Sequence, residues 1–237
     1  MSRRWLRALT TLVLAAAAAA GGCTQGLAWL VAQFTPPKRV KAVYQPPKGK
    51  KVLVFVDDQK FPVEYEPVKY ELAARINKQL IEHKIARSTV RYELLQNLST
   101  TRDFHRLAIS EVGAKLGADL VLYVQIEAFS LKDNPYSPLW QGRLETSVWF
   151  VDARKPAKLW PTDVPHGSGH IVPPVEFKPT ENPSVTYGEE VAKSLAAQMA
   201  ERIVKLFYDH YEAADPHHDE GPKSGDDEGW GDWSLSE

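Results

Sequence analysis

Apolar and polar positions along this chain follow two rhythms, a helical one of about four residues and a strand-like one of two. Residues 52–56, in "KKVLVFVDD", form a short unbroken β-branched run, the pattern of a strand covered on both faces. Val68, Leu72, Ile76 and Leu80 then recur every fourth residue, with Glu66, Lys69, Arg75 and Lys78 elsewhere. That spacing predicts an amphipathic helix of about 17 residues beginning at Pro67. "STVRYELL" at 88–95 reads as a second strand. A second helix is predicted within "TTRDFHRLAISEVGAKLGAD", capped by Thr101 or Asp103 and lined by Phe104, Ala108, Val112 and Leu116. Gly117 ends it, as glycine does where a helix needs a left-handed residue at its carboxyl end.

The period of two dominates the second half. In "DLVLYVQIEAF" the apolar Leu120, Leu122, Val124, Ile126 and Ala128 share one face, and Val121, Tyr123, Gln125 and Glu127 the other. "GRLETSVWFVDA" is a further strand with Leu144, Val148 and Phe150 on one side, and residues 158–160 add a short one. Residues 161–183 contain six prolines and read mostly as loop. A closing helix from Thr186 carries the stripe Val191, Leu195, Met199, Ile203 and Leu206. The order β-α-β-α-β-β-β-α predicts an α/β (α+β) domain: one mixed sheet with helices packed on it, flanked by disordered termini.

The amino-terminal segment has a different character. Arg3, Arg4 and Arg7 precede a short apolar run at 9–20, well under the roughly 20 residues of a spanning helix. Positive start, apolar middle and small-residue end are the marks of a secretory signal. It closes in Ala20-Gly21-Gly22-Cys23, which resembles a bacterial lipobox, with Ala20 where leucine is usual. The resemblance implies cleavage before Cys23 and a lipid on its sulfur. Cys23 is the chain's single cysteine, so an internal disulfide is excluded and the odd thiol needs another role. More than one acyl chain gives stable anchoring where one gives only marginal binding. Thr24 replaces the aspartate that retains such lipoproteins in the inner membrane, which points to the periplasmic face of the outer membrane. The expected organisation is signal peptide 1–22, lipid anchor and basic proline-bearing tether 23–50, folded domain 51–214 and disordered acidic tail 215–237.

The pieces "VLVFVDD", "VKYELAARINKQLIEHK", "AKLGADLVLYVQIEAF", "RLETSVWFVDA" and "EEVAKSLAAQMAERIVKLF" together resemble the CsgG-like envelope lipoproteins. That group includes the penicillin-binding-protein activator LpoB and the amino-terminal domain of TolB. The resemblance spans roughly residues 51–210 and rests on the order of elements. It implies a non-enzymatic role in envelope assembly, secretion or regulation through protein contacts, with homo-oligomers within reach. The two long amphipathic hairpins of the CsgG pore have no counterpart here: only about a dozen residues separate the 120–129 and 142–152 strands. A secretion-channel subunit is therefore the alternative rather than the expectation.

Charge changes this picture little. The net charge is −1, but residues 215–237 hold eight acidic residues and one lysine, which leaves the rest mildly basic. Nothing there makes a case for nucleic acid. Candidate chemistry is sparse, and no cofactor is expected. Asp57-Asp58, at the carboxyl end of the first strand, is the placement that holds Mg²⁺ in some α/β folds, which makes a metal-dependent enzyme the second alternative. A polar loop capping a helix is the plainer expectation. His166 and His170, four apart in "HGSGH", lack the helix that preorganises such a pair for zinc, and Ser168 lacks a full G-x-S-x-G frame. His217-His218-Asp219-Glu220 lies in the tail, and His83 and His105 lie on predicted helices. Aromatics crowd the second half of the sheet, with Tyr136, Trp140, Trp149 and Trp160. Trp149, on the face opposite Phe150, either packs under the closing helix or serves a contact surface. Trp230 and Trp233, in "DEGWGDW", have no core to join and read as candidates for a docking motif.

Overall fold

The computed structural model describes residues 37–132, 140–164, 168–177 and 188–212. The signal, Cys23 and the acidic tail lie outside them. Within the compact unit Lys41–His210, a six-stranded mixed sheet is built from β2 (Lys51–Asp57), β3 (Ser88–Thr89), β4 (Leu120–Ser130), β5 (Gly142–Asp152), β6 (Lys158–Trp160) and β7 (His170–Phe177). Four helices accompany it: α1 (Pro67–Glu82), α2 (Tyr92–Ser99), α3 (Ile109–Lys115) and α4 (Gly188–Lys205). Separately, β1 (Lys38–Val40) and β8 (His210–Glu212) form a two-stranded sheet.

The strand order is β3-β2-β4-β5-β6, with β7 also on β5. β2 lies parallel to β3 and β4, whereas β4 and β5 run antiparallel over most of their length. The registers Val54↔Leu122 and Leu122↔Phe150 place these residues on one face of the sheet. Phe55↔Tyr123 and Tyr123↔Trp149 place the aromatics on the other. The first face is closed by α1 and α4, which pack side by side. Leu72, Ile76, Leu195, Met199 and Ile203 are fully buried there, as their every-fourth-residue spacing predicts. Thr146, on the same face of β5, donates its hydroxyl to Met199 Sδ at 3.2 Å.

The other face receives α3. Gly113 lies so close to β4 and β5 that a Cβ there would stand 2.4 Å from Val121 Cγ2 and 2.9 Å from Ala153 Cβ. The glycine is what lets the helix approach. Gly117 ends this segment at φ +67°, as expected from its position.

Three local expectations are corrected. The strand expected at 88–95 stops at Thr89, and residues 92–99 form α2. Tyr92 and Leu95, three apart, turn their side chains into the core, which a helix permits and a strand does not. The helix expected from Thr101 onward is split into a 3₁₀ turn (Phe104–Arg106) and α3. The hydroxyls of Ser99, Thr100 and Thr101 fold back onto the carbonyls of Gln96, Asn97 and Leu98 at 2.7–2.8 Å. These local bonds compete with helix continuation and leave Thr101 no cap to make. At the start of α3, Glu111 instead accepts the Ala108 N–H at 2.8 Å. The third correction concerns residues 170–177, read as loop but forming strand β7. Pro173 and Pro174 sit at a register shift, between the pairs Thr146↔Val172 and Leu144↔Val175. An outer strand with a bulge tolerates residues that donate no ladder bond. The carbonyls of both prolines accept from Arg202 of α4.

Part of the segment read as tether belongs to the packing. Val43 and Tyr44 donate their N–H groups to Leu206 O at 2.8 and 3.0 Å. The Tyr44 ring stacks on Trp160, with centroids 5.5 Å apart.

Candidate functional site

In an open α/β sheet the natural place for a site is beyond the carboxyl end of a strand where successive crossovers leave in opposite directions. β2 is that strand here, with β3 on one side and β4 on the other. The β2–β3 crossover carries α1, on the α4 side, whereas the β3–β4 crossover brings α3 to the opposite face. Asp57 and Asp58 stand at this end of β2 and line a cleft of about 240 Å³ with Phe55, Lys69, Tyr92 and His105.

Both carboxylates are engaged. Asp57 is buried and accepts the hydroxyl of Tyr123 from the neighbouring strand. Burial, and then the bond to Asp57, push the Tyr123 phenol far above its ordinary range. Asp58 accepts the Val63 N–H at 3.0 Å and the Lys69 ammonium at 2.9 Å. Lys69 also donates to Glu66 at 2.9 Å. Burial works against the Lys69 charge, but hydrogen bonds and attraction from Glu66 and Asp58 outweigh it and raise the pKa. Burial is also the chief cause that pushes the Tyr92 phenol up to about 12. At neutral pH, therefore, both phenols are protonated and Asp58 is neutralised by a lysine one helical turn inside α1.

On the neighbouring strand, Gln125 stands opposite Asp57. Two residues on, Glu127 accepts Ser147 Oγ at 2.6 Å and lies 3.8 Å from Lys60 Nζ. Among the described residues, no group of three or more His, Cys, Asp or Glu side chains is placed to hold a metal ion. Asp58 ties the loop after β2 to α1 through Lys69, but it does not cap that helix, whose first turn receives no side-chain cap. The Tyr123 partner was unforeseen, although the alternation of β4 had placed Tyr123 on the face away from the main core.

A second concavity of about 660 Å³ opens on the same face, beside α3. Ile109, Trp149, Val151, Pro156, Lys158 and Thr162 contribute to its lining. Trp149 is 6% exposed and lies away from α4, not beneath it. Its ring is 4.4 Å from Tyr123, and a Cβ on Gly169 would reach its Cε3 at 2.4 Å. Tryptophan and glycine thus fit as a pair. Lys158 fastens the adjoining loop by donating to Val164 O at 3.3 Å and Ser168 O at 3.1 Å.

The "HGSGH" residues do not form a described cluster. His170 begins β7 beside Trp160, where burial lowers its pKa against the pull of Asp163. Ser168 is exposed, and His166 lies outside the described residues. Trp160 joins the core through Tyr44 and Phe207. His83 stacks on Tyr208 at 3.9 Å, and His105 edges Phe104. Ala20, Gly21, Gly22, Cys23, Trp230 and Trp233 lie outside the described residues, as do Tyr136 and the 217–220 cluster. Among the described residues, no helix is long and apolar enough to cross a membrane.

No protein-family model matches the chain, and no curated protein matches it. Among solved structures it is similar to a PelC dodecamer from Paraburkholderia phytofirmans, at 13% identity and a TM-score of 0.40, covering 70% of this chain and 96% of that one. It is also similar to lipoprotein GNA1162 from Neisseria meningitidis, at 15% identity and a TM-score of 0.38, covering 65% and 99%. A third likeness is to TolB from Acinetobacter baumannii, at 9% identity and a TM-score of 0.29, covering 71% of this chain and 30% of that one. Bacterial lipoproteins thus figure among the structures the chain is similar to. Likenesses at this level assign no family, activity or oligomeric state.

Proposed function

We propose that this protein is a lipid-anchored lipoprotein of the bacterial cell envelope, held by acyl chains on Cys23 at the periplasmic face of the outer membrane. It works there without catalysis, as an accessory or assembly factor acting through protein contacts, in the manner of the CsgG-like, LpoB-like and TolB amino-terminal-like domains. The observation that carries this reading is the run from Arg3 to Cys23: basic start, short apolar stretch, two glycines and a lone cysteine. The non-catalytic part is supported by the cleft at the end of β2. Its two aspartates, the best catalytic candidates in the sequence, are committed to Tyr123, Val63 and Lys69. Asp58 in particular is held on both oxygens, Oδ1 by Lys69 and Oδ2 by Val63.

The test begins with detergent extraction of the full-length protein from its own cells after in-cell crosslinking. Intact mass is expected to show cleavage before Cys23 and added acyl chains, and an unmodified cysteine overturns the anchor. Native mass reads any homo-oligomer directly, and the crosslinked peptides identify the envelope partner. Asp57→Ala and Asp58→Ala are expected to leave the cellular phenotype of the wild type. A folded Asp58→Ala protein that still crosslinks to the same partner yet gives a null phenotype overturns the non-catalytic reading.

A further inference from the structure

Charge is unevenly distributed between the two ends of the sheet. β2 and β4 are parallel, α1 runs back against β2, and Leu120 pairs with Asp152 at the far end of β5. The topology therefore gathers at one end everything that precedes β2, follows α1, follows α3 and lies between β5 and β6. Lys48, Lys50, Lys84, Arg87, Lys115 and Lys155 all fall there, and all but the half-buried Lys50 are exposed. Among the described residues none of them makes a direct ion pair, although Lys50 lies near enough to Asp119 to attract its carboxylate. The acids at the same end are engaged. Asp119 accepts from Lys51 N at 3.0 Å and Arg154 Nη2 at 2.6 Å. Asp152 accepts the N–H groups of Arg154 and Lys155, Asp209 accepts that of Ala42, and Glu82 lies 3.8 Å from Lys78.

The carboxyl ends of α1, α3 and α4 also point this way, and basic groups suit the negative ends of helix dipoles. Three short helix ends do not account for basic side chains on the chain before β2 and on the β5–β6 turn as well. The amino-terminal segment of the unit enters at this end too, since Ala42, Val43 and Tyr44 are bonded to Asp209 and Leu206. A tether leading from a lipid anchor thus joins the body at its basic end.

The geometry points to this basic end as a docking surface for an anionic lipid bilayer, which orients the domain with the opposite end, bearing Asp57 and Asp58, turned toward solvent and partners. The inference rests on the envelope-lipoprotein reading for the presence of a membrane. Anionic headgroups attract each nearby Lys or Arg by about a fivefold gain in surface partitioning, and the attraction falls off within a Debye length.

The experiment uses the extracted full-length protein mixed into vesicles of phosphatidylcholine alone or of phosphatidylcholine with phosphatidylglycerol. A water-soluble amine-acylating reagent is applied and labelled peptides are quantified by mass spectrometry. Labelling of Lys48, Lys50, Lys84 and Lys115 is expected to slow at least about fivefold in the anionic vesicles. It should recover in about 1 M salt. Lys60 and Lys193, at the opposite end, are expected to label alike in both. The triple variant Lys48→Gln, Arg87→Gln, Lys155→Gln, all at exposed positions, is expected to lose most of the protection at Lys84 and Lys115. Equal labelling in both vesicle types, or protection indifferent to salt, overturns the proposal and leaves the lysines as dipole partners or contacts for an acidic protein. The intact mass of the same sample reads Cys23 separately. Acylation without protection sinks the docking surface alone, and protection without acylation sinks the anchor alone.

Discussion

The two faces of the sheet share the same strands but are built of different chemistry. Under α1 and α4 the strands present Val54, Leu122, Val124, Val148 and Phe150, all at or below 1% exposure. On the α3 side the same strands present Leu53 and Val121, which are fully buried, and then Phe55, Asp57, Tyr123, Gln125, Ser147 and Trp149, each buried but leaving 3–9% exposed. The first face is closed by two long helices with regular apolar stripes. The second is covered by a short helix and a 3₁₀ turn, so its aromatic rings and polar groups must satisfy one another: phenol to carboxylate, hydroxyl to Glu127, tryptophan against glycine. The 660 Å³ concavity opens on this second face, and the cleft at the carboxyl end of β2 takes Phe55 and Asp57 from it. A layer sealed by regular packing has little to offer a partner. A layer closed by irregular segments keeps polar groups near its surface, and there the candidate sites lie.

The contrast can be tested by substitution. Phe150→Ala, under α4, should cost about 3–5 kcal/mol in denaturant unfolding, because the fully buried ring leaves a cavity that two long helices cannot collapse. Gly113→Ala, on the other face, should cost about 1–3 kcal/mol. The new methyl would meet Val121 and Ala153 inside contact distance, and a neutral outcome would show that α3 floats on the sheet rather than docking to it.

The polar face also predicts a pH dependence. Tyr123 and Tyr92 hold their protons more tightly folded than unfolded. Their contribution is complete below the ordinary tyrosine pKa of about 10 and is lost as pH rises above it. Stability should therefore fall from about pH 10 through 12, the folded value for Tyr92, and Tyr92→Phe should flatten that decline in alkaline unfolding curves. Asp58→Asn is the mildest change. The pair with Lys69 is largely buried, but Lys69 keeps Glu66 and asparagine can still accept from Val63, so a loss of about 1–2 kcal/mol is expected. A much larger loss would mean that the cleft organises the fold.

Much of this architecture was legible in the sequence. The stripes at 68–80 and 191–203 come from strong periodicity, and burial follows them residue by residue, whereas the alternation at 120–128 marks which residues share a face but not which are buried, since both faces are covered from Leu120 through Ile126. The errors fell where local and tertiary preferences compete. "STVRYELL" opens with strand-forming Thr89 and Val90 but ends in the helix formers Glu93, Leu94 and Leu95; only two residues find a pairing edge on β2, and the remainder coils so that Tyr92 and Leu95 reach the core. Pro173 and Pro174 argue against a strand in isolation. The outer side of β5, with a bulge opposite Glu145, accepts them.

Sequence by itself determined the address-like amino terminus, the apolar stripes and the two-faced strand 120–128, because each is a repeating or contiguous pattern carried by neighbours in the chain. Tertiary structure alone decided that Asp57 meets Tyr123, sixty-six residues away, and that Gly169 gives Trp149 its place. It also decided that lysines from four separate segments share one end of the sheet. Each of these depends on which strands pair and in which direction, and pairing is set by the packing of the whole core rather than by any single stretch of chain.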